Sequence, residues 1–189
     1  MQKDSILNII LVGVGLCIVC GAVISTVAVS LKDQQEQNVI FDQQSKIIDA
    51  ARLLEVYPSS QEALASIEEV VVNLNDGQPS GFPPEQYDLD SILRDSSQHT
   101  VLNGSDDIAM ISVRENLSKV YIEYRNNELK TLILPVRGYG LWGTLYGYLA
   151  LDSDLNTIVG LEFYKHKETP GLGAEVDNPN WKKLWNLSL

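Results

Sequence analysis

Glu162-Phe-Tyr-Lys-His-Lys-Glu168-Thr-Pro-Gly-Leu-Gly173-Ala-Glu-Val176 is the stretch on which the fold turns. An apolar, strand-like run from Thr157 to Tyr164 feeds into it. Pro170 fixes its own φ and pushes Thr169 towards extended geometry. Pro-Gly is the favoured central pair of a type II turn, whose second central residue needs φ > 0. Gly171 and Gly173 are bare backbone positions against which a flat ligand can lie. Glu168, Thr169 and the amides beyond Pro170 can bond a polar ring edge. A Pro-Gly pair is also an ordinary way to end a strand, so the turn by itself leaves both readings open.

Upstream, Val120 to Tyr124 is strand-like and Leu129 to Val136 is its return strand. Arg125-Asn-Asn-Glu128 between them suits a tight hairpin, because Asn tolerates φ > 0. Trp142 to Leu151 reads as a further strand, and Asp152-Ser-Asp154 as the turn to the Thr157–Tyr164 strand. Asn178 to Leu187 reads as a short helix with Asn178 as cap and Pro179 at its first position. Consecutive strands on short turns predict an α+β domain, an antiparallel sheet with packed helices. Further upstream, Asp33 to Glu55 has the spacing of an amphipathic helix that ends at Tyr57-Pro58. Gln61 to Asn75 is either a second helix or, through Val70-Val-Val72, a strand. Asp76 to Pro84 is turn-rich, and residues 85–118 show no clear pattern.

Ile6 to Leu31 contains no charged residue. As a helix this run is about 39 Å long, enough for a hydrocarbon core of ~30 Å. A cleaved leader has an apolar core of only ~7–15 residues, and Leu16 and Val19 are too large for a lipoprotein site before Cys17 or Cys20. A permanent membrane anchor is therefore expected. Lys3 on one side and Lys32 and Lys46 on the other leave the charge rule for orientation nearly balanced. Cys17 and Cys20 are too few for an iron–sulfur site and read as small apolar residues.

The 189-residue chain carries a formal net charge of −11 and no Lys/Arg cluster, which argues against nucleic acid. No dinucleotide glycine fingerprint, phosphate loop, zinc spacing or nucleophile with a base occurs. Asp106 and Asp107 read as a solvated loop, and His166, in Lys-His-Lys-Glu, as an exposed strand-end residue. Gly138-Tyr-Gly-Leu-Trp-Gly143 opens a strand with an aromatic between bare positions. Trp142 is either a core tryptophan beside a loop or one wall of a ring pocket.

The Glu168–Gly173 hexapeptide, its continuation Ala174-Glu-Val-Asp-Asn-Pro-Asn-Trp181 with Leu184-Trp185, and the 138–143 segment together resemble the C-type subunit of the sodium-pumping, or sodium-translocating, NADH:quinone reductase family. The likeness runs from the anchor to the last residues. It implies an FMN-binding domain, with Trp142, Glu168, Thr169, Gly171, Leu172 and Gly173 lining the flavin pocket and no metal. It implies an electron-relay subunit that passes single electrons through FMN to drive Na+ export. It further implies partner subunits of the reductase, a flavin transferase for maturation and the lipid bilayer. The expected setting is the bacterial inner membrane, with the N-terminus cytoplasmic and the domain periplasmic. The resulting division is a tail at 1–5, a transmembrane helix at 6–31, a juxtamembrane helical and mixed region at 32–118, and an FMN-binding-type region at 119–189.

One departure stands out. The family carries FMN on a threonine of a Ser-Gly-Ala-Thr type motif, and this sequence contains none, so no attachment residue is named and a C-terminally truncated form is expected. Two alternatives stay open: the G-type subunit of the related ferredoxin/NAD electron-transport complex, which shares Thr-Pro-Gly-Leu-Gly, and a membrane-anchored scaffold without flavin.

Overall fold

The computed structural model describes residues 6–185. The 1–5 tail and the end of the helix expected over 178–187 lie outside the described residues. Helix α1 (Ile6–Ala50) is continuous. As far as Phe41 it belongs to one compact unit, and its apolar portion, with mean hydropathy 2.7, has no buried residue. It alone among the described residues is long and apolar enough to cross a membrane. Lys32 and Glu36 pair one turn apart on its polar continuation.

The second unit begins at Asp42. Helix α1 ends earlier than the Tyr57-Pro58 pair suggests. Arg52 takes φ 51, and a 3-10 turn, Leu53–Glu55, follows. This reversal drives Leu53 into the core, where it is fully buried. The 61–75 segment splits. Helix α2 (Ser60–Ala65) is opened by Ser59, whose hydroxyl accepts from the Glu62 amide and donates to its carboxylate, a reciprocal cap. Strand β1 (Ile67–Asn73) then forms around the β-branched run Val70-Val-Val72.

Residues 85–118, patternless in the sequence, hold a short helix α3 (Leu89–Arg94) and a small sheet of β2 (His99–Val101) with β3 (Val113–Glu115). Four long strands follow: β4 (Leu117–Arg125), β5 (Glu128–Tyr139), β6 (Thr144–Asp152) and β7 (Ile158–Lys165). All pairings are antiparallel, in the order β1-β4-β5-β6-β7. Asn126 and Asn127 both adopt positive φ at the β4–β5 hairpin, as a two-residue hairpin loop requires. The C-terminal helix is shorter than expected: α4 (Pro179–Lys182), capped by Asn178, passes into a 3-10 turn at Lys183–Trp185.

The core lies between the end of α1 and one face of this sheet. Ile47, Ile48, Ala50, Leu53 and Ala63 meet Tyr121, Ile133, Tyr148 and Ala150. Tyr121 and Tyr148 pack edge-to-face at 5.6 Å, and Tyr148 stacks on Tyr164 at 5.0 Å. Burial pushes all three phenols above the ordinary range. One carboxylate, Glu123, is fully buried here. Tyr57 Oη donates to it at 2.8 Å and Thr131 Oγ1 at 3.1 Å, and Arg125 pairs with it. Burial opposes its charge, yet the bonds from Arg125, Tyr57 and Thr131 outweigh burial and hold its pKa below the ordinary value. Glu162 Oε2 likewise joins elements, accepting from Lys46 Nζ at 3.2 Å and Lys182 Nζ at 2.6 Å.

Candidate flavin site

The β5–β6 turn and the segment after β7 meet at one side chain. Trp142 sits in the turn and not within a strand, since β6 starts only at Thr144. The Gly140 amide donates to the Gly143 carbonyl at 2.8 Å and closes this turn. Trp142 is 63% exposed, so the core reading of it does not hold. On the other segment, Pro170-Gly171 forms the expected type II turn. Gly171 has φ 75 and the Leu172 amide reaches the Thr169 carbonyl at 3.1 Å. The Ala174 amide shares that carbonyl at 3.2 Å, so Thr169 organises the bend through its main chain. Leu172 points away from the protein, 72% exposed.

Glu168 joins the two. Its Oε1 accepts the Trp142 amide hydrogen at 3.1 Å. A Cβ placed on Gly140 would collide with the same carboxylate, and one on Gly173 would lie 2.5 Å from Glu168 Oε2. A side chain at Gly140 or Gly173 would therefore crowd this carboxylate, and one at Gly140 would crowd the Leu145 side chain as well. Open backbone remains at Gly171, where an added Cβ meets nothing within 4 Å. The Gly171 and Gly173 amides have no acceptor among the described residues. Glu168, Trp142 and Gly173 are thus brought together, while Thr169, Gly171 and Leu172 follow on the same turn.

Two supports were not legible as such in the sequence. His166 is only 17% exposed in its side chain and is bonded at both ring nitrogens, to Asp177 and to the Glu168 amide; its place two residues before Glu168 was the only available signal. The loop before β3 is the other. Asp107 accepts from the amides of Ile111 and Ser112 at 2.8 and 2.7 Å, and Met110 and Ser112 adopt φ 51 and 63. Asp107 therefore shapes this loop and is more than a solvated carboxylate. The loop reaches β5 where the Tyr139 amide donates to the Ala109 carbonyl at 2.8 Å. No group of three or more His, Cys, Asp or Glu suited to a metal occurs among the described residues.

The exposed indole of Trp142, the exposed Leu172 and the free amides of Gly171 and Gly173 offer apolar surface and hydrogen-bond donors, the combination that a planar, polar-edged ring needs. The fold is of a definite class: an α+β domain that follows one membrane-length apolar helix along the chain. The FMN-binding domain family matches residues 140–186, the span holding both turns. Over 97% of its length the chain is 43% identical to the C-type subunit of the Na(+)-translocating NADH-quinone reductase of Pseudomonas aeruginosa, covering 72% of that protein. It is 36% identical to the same subunit of Vibrio alginolyticus, covering 75% of it. Among solved structures, Shewanella oneidensis NqrC superposes with a TM-score of 0.67 at 30% identity, over 76% of this chain and 67% of that one. The corresponding subunit of Parabacteroides distasonis gives 0.58 at 28% identity, over 82% and 68%. The chain belongs to the NqrC family, the C-type subunits of Na+-translocating NADH-quinone reductases.

Proposed function

We propose that this chain is the electron-relay subunit of a Na+-translocating NADH:quinone reductase, with FMN seated against Trp142, Glu168, Thr169, Gly171, Leu172 and Gly173. Within the 119–189 region, Trp142 and Leu172 would supply apolar surface for the ring, and the Gly171 and Gly173 amides would supply hydrogen-bond donors for its polar atoms. Glu168 holds the two turns together and keeps a negative charge close by. FMN, when bound, supplies the one-electron redox chemistry; the residues around it orient the ring and set its surroundings. NADH oxidation and quinone reduction fall to partner subunits, and the relay serves Na+ export. Helix α1 anchors the chain in the inner membrane with the N-terminus cytoplasmic and the domain periplasmic. A flavin transferase attaches FMN where a receiving threonine motif is present. The 189 residues contain no Ser/Thr-Gly-Ala-Thr, so no residue among them is proposed to carry FMN covalently.

The observation that carries this reading is the Glu168 carboxylate on the Trp142 amide, which sets an exposed indole beside the exposed Pro-Gly turn. Its test is an FMN titration of the full chain in detergent micelles, followed by absorbance and flavin fluorescence. Trp142→Ala is expected to weaken binding about tenfold at most, the weight of one aromatic contact. An unchanged affinity and spectrum would remove Trp142 from the site, and no binding by the unmutated chain would defeat the proposal.

A further inference from the structure

The imidazole of His166 performs a task that neither the flavin-ring contacts nor the family assignment gives it. Its neighbours are engaged elsewhere. Lys165 lies over the Tyr146 ring at 5.2 Å, and the stem of Lys167 passes beside Gly143. His166 turns inward between them. The Glu168 amide lies 3.2 Å from Nδ1. An amide N–H can only donate, so Nδ1 must present its lone pair. Nε2, 2.8 Å from Asp177 Oδ2, then carries the ring proton and donates it to that carboxylate. The two bonds together fix the tautomer.

They also clasp a loop. Glu168 begins the exposed segment that carries Thr169 to Gly173. Asp177 closes the 3-10 turn Gly173–Asp177, directly before Asn178 caps α4. A single ring thus bonds the first and last residues of the segment on which the Pro-Gly turn is carried. The Glu168 side chain, held at its backbone by His166, reaches across to the Trp142 amide.

We infer that His166, backed by Asp177, is a positioning residue that sets Glu168 and through it Trp142; its bearing on flavin rests on the function proposed above. The test is amide hydrogen exchange on the full chain in detergent micelles, comparing His166→Ala, His166→Asn and the unmutated protein. Loss of one hydrogen bond is expected to speed exchange at the Glu168 amide roughly tenfold and at the Trp142 amide by a few-fold, with the buried Ile133 amide unchanged. In His166→Asn the side-chain carbonyl accepts from the amide two residues on, as in an Asx turn, so protection returns at both Glu168 and Trp142. Three results would overturn the inference: a Trp142 amide indifferent to His166→Ala, an asparagine variant no better than alanine, or equal acceleration at Ile133. FMN titration of the same proteins adds a second reading. Affinity is expected to fall a few-fold in the alanine variant and to recover in the asparagine variant, and equal affinity in all three would also overturn it. If the unmutated chain binds no FMN, the proposed function fails while the exchange data still decide the role of His166.

Discussion

Gly160→Ala is the sharpest test of how the end of α1 is seated on the sheet. Gly160 lies in β7 opposite Ala150. A Cβ at this position would lie 2.5 Å from the Ala50 carbonyl oxygen, 3.3 Å from its carbonyl carbon and 3.6 Å from its Cα. A carbon normally approaches a carbonyl oxygen no closer than ~3.3 Å, so about 0.8 Å must be found. All three atoms are backbone, and no rotamer change can relieve the contact. The last turn of α1 has to move away from β7. With it move Ile47, Ile48, Ala50 and Leu53, the centre of the core. Overpacking of this kind costs about 1–3 kcal/mol. For a protein of this size each kcal/mol lowers Tm by roughly 2–4 °C, so the expected loss is about 2–12 °C. Thermal unfolding of the full chain in detergent micelles, followed by tryptophan fluorescence, measures it. Gly104→Ala is the control, because a Cβ there meets nothing within 4 Å. A Gly160→Ala protein melting within about 1 °C of the control would refute the close helix–strand contact.

Two further outcomes follow from polar groups away from the proposed site. Glu123 has its pKa lowered from 4.5 in the folded protein, so its stabilisation is complete above that value and is lost as pH falls through the folded pKa. Glu123→Gln is expected to cost about 1–2 kcal/mol near neutrality, the lower part of the range because Arg125 is 38% exposed. It should also flatten the acid limb of a stability–pH curve measured by urea denaturation; a limb as steep as in the unmutated protein would count against the assignment. Asp107→Ala removes the acceptor for the Ile111 and Ser112 amides, and their hydrogen exchange should rise roughly tenfold. Unchanged exchange would show that the loop is held by something other than this carboxylate.

Features that depend on local chemistry could be read directly from the chain. The uncharged run in α1, the Asn126-Asn127 hairpin, the Pro170-Gly171 turn and the Asn178 cap each follow from a φ preference, a side-chain acceptor or hydropathy acting within a few residues. The antiparallel sheet followed because those turns leave consecutive strands side by side. Local chemistry could not rank the two options at 61–75, and both occur: helix α2 takes the first residues, and strand β1 takes the rest because pairing with β4 satisfies its backbone and buries Val71. Residues 85–118 gave no period to read, since β2 and β3 are three residues each and their loop is shaped by Asp107. Trp142, Glu168, Thr169, Gly171, Leu172 and Gly173 were visible as residue types. What joins Trp142, Glu168 and Gly173 was not, because it depends on one carboxylate crossing to a main-chain amide 26 residues away. His166 looked exposed for the same reason. Its partner Asp177 is brought to it only when the chain doubles back, and a charged sequence neighbourhood says nothing about a bond made across a loop.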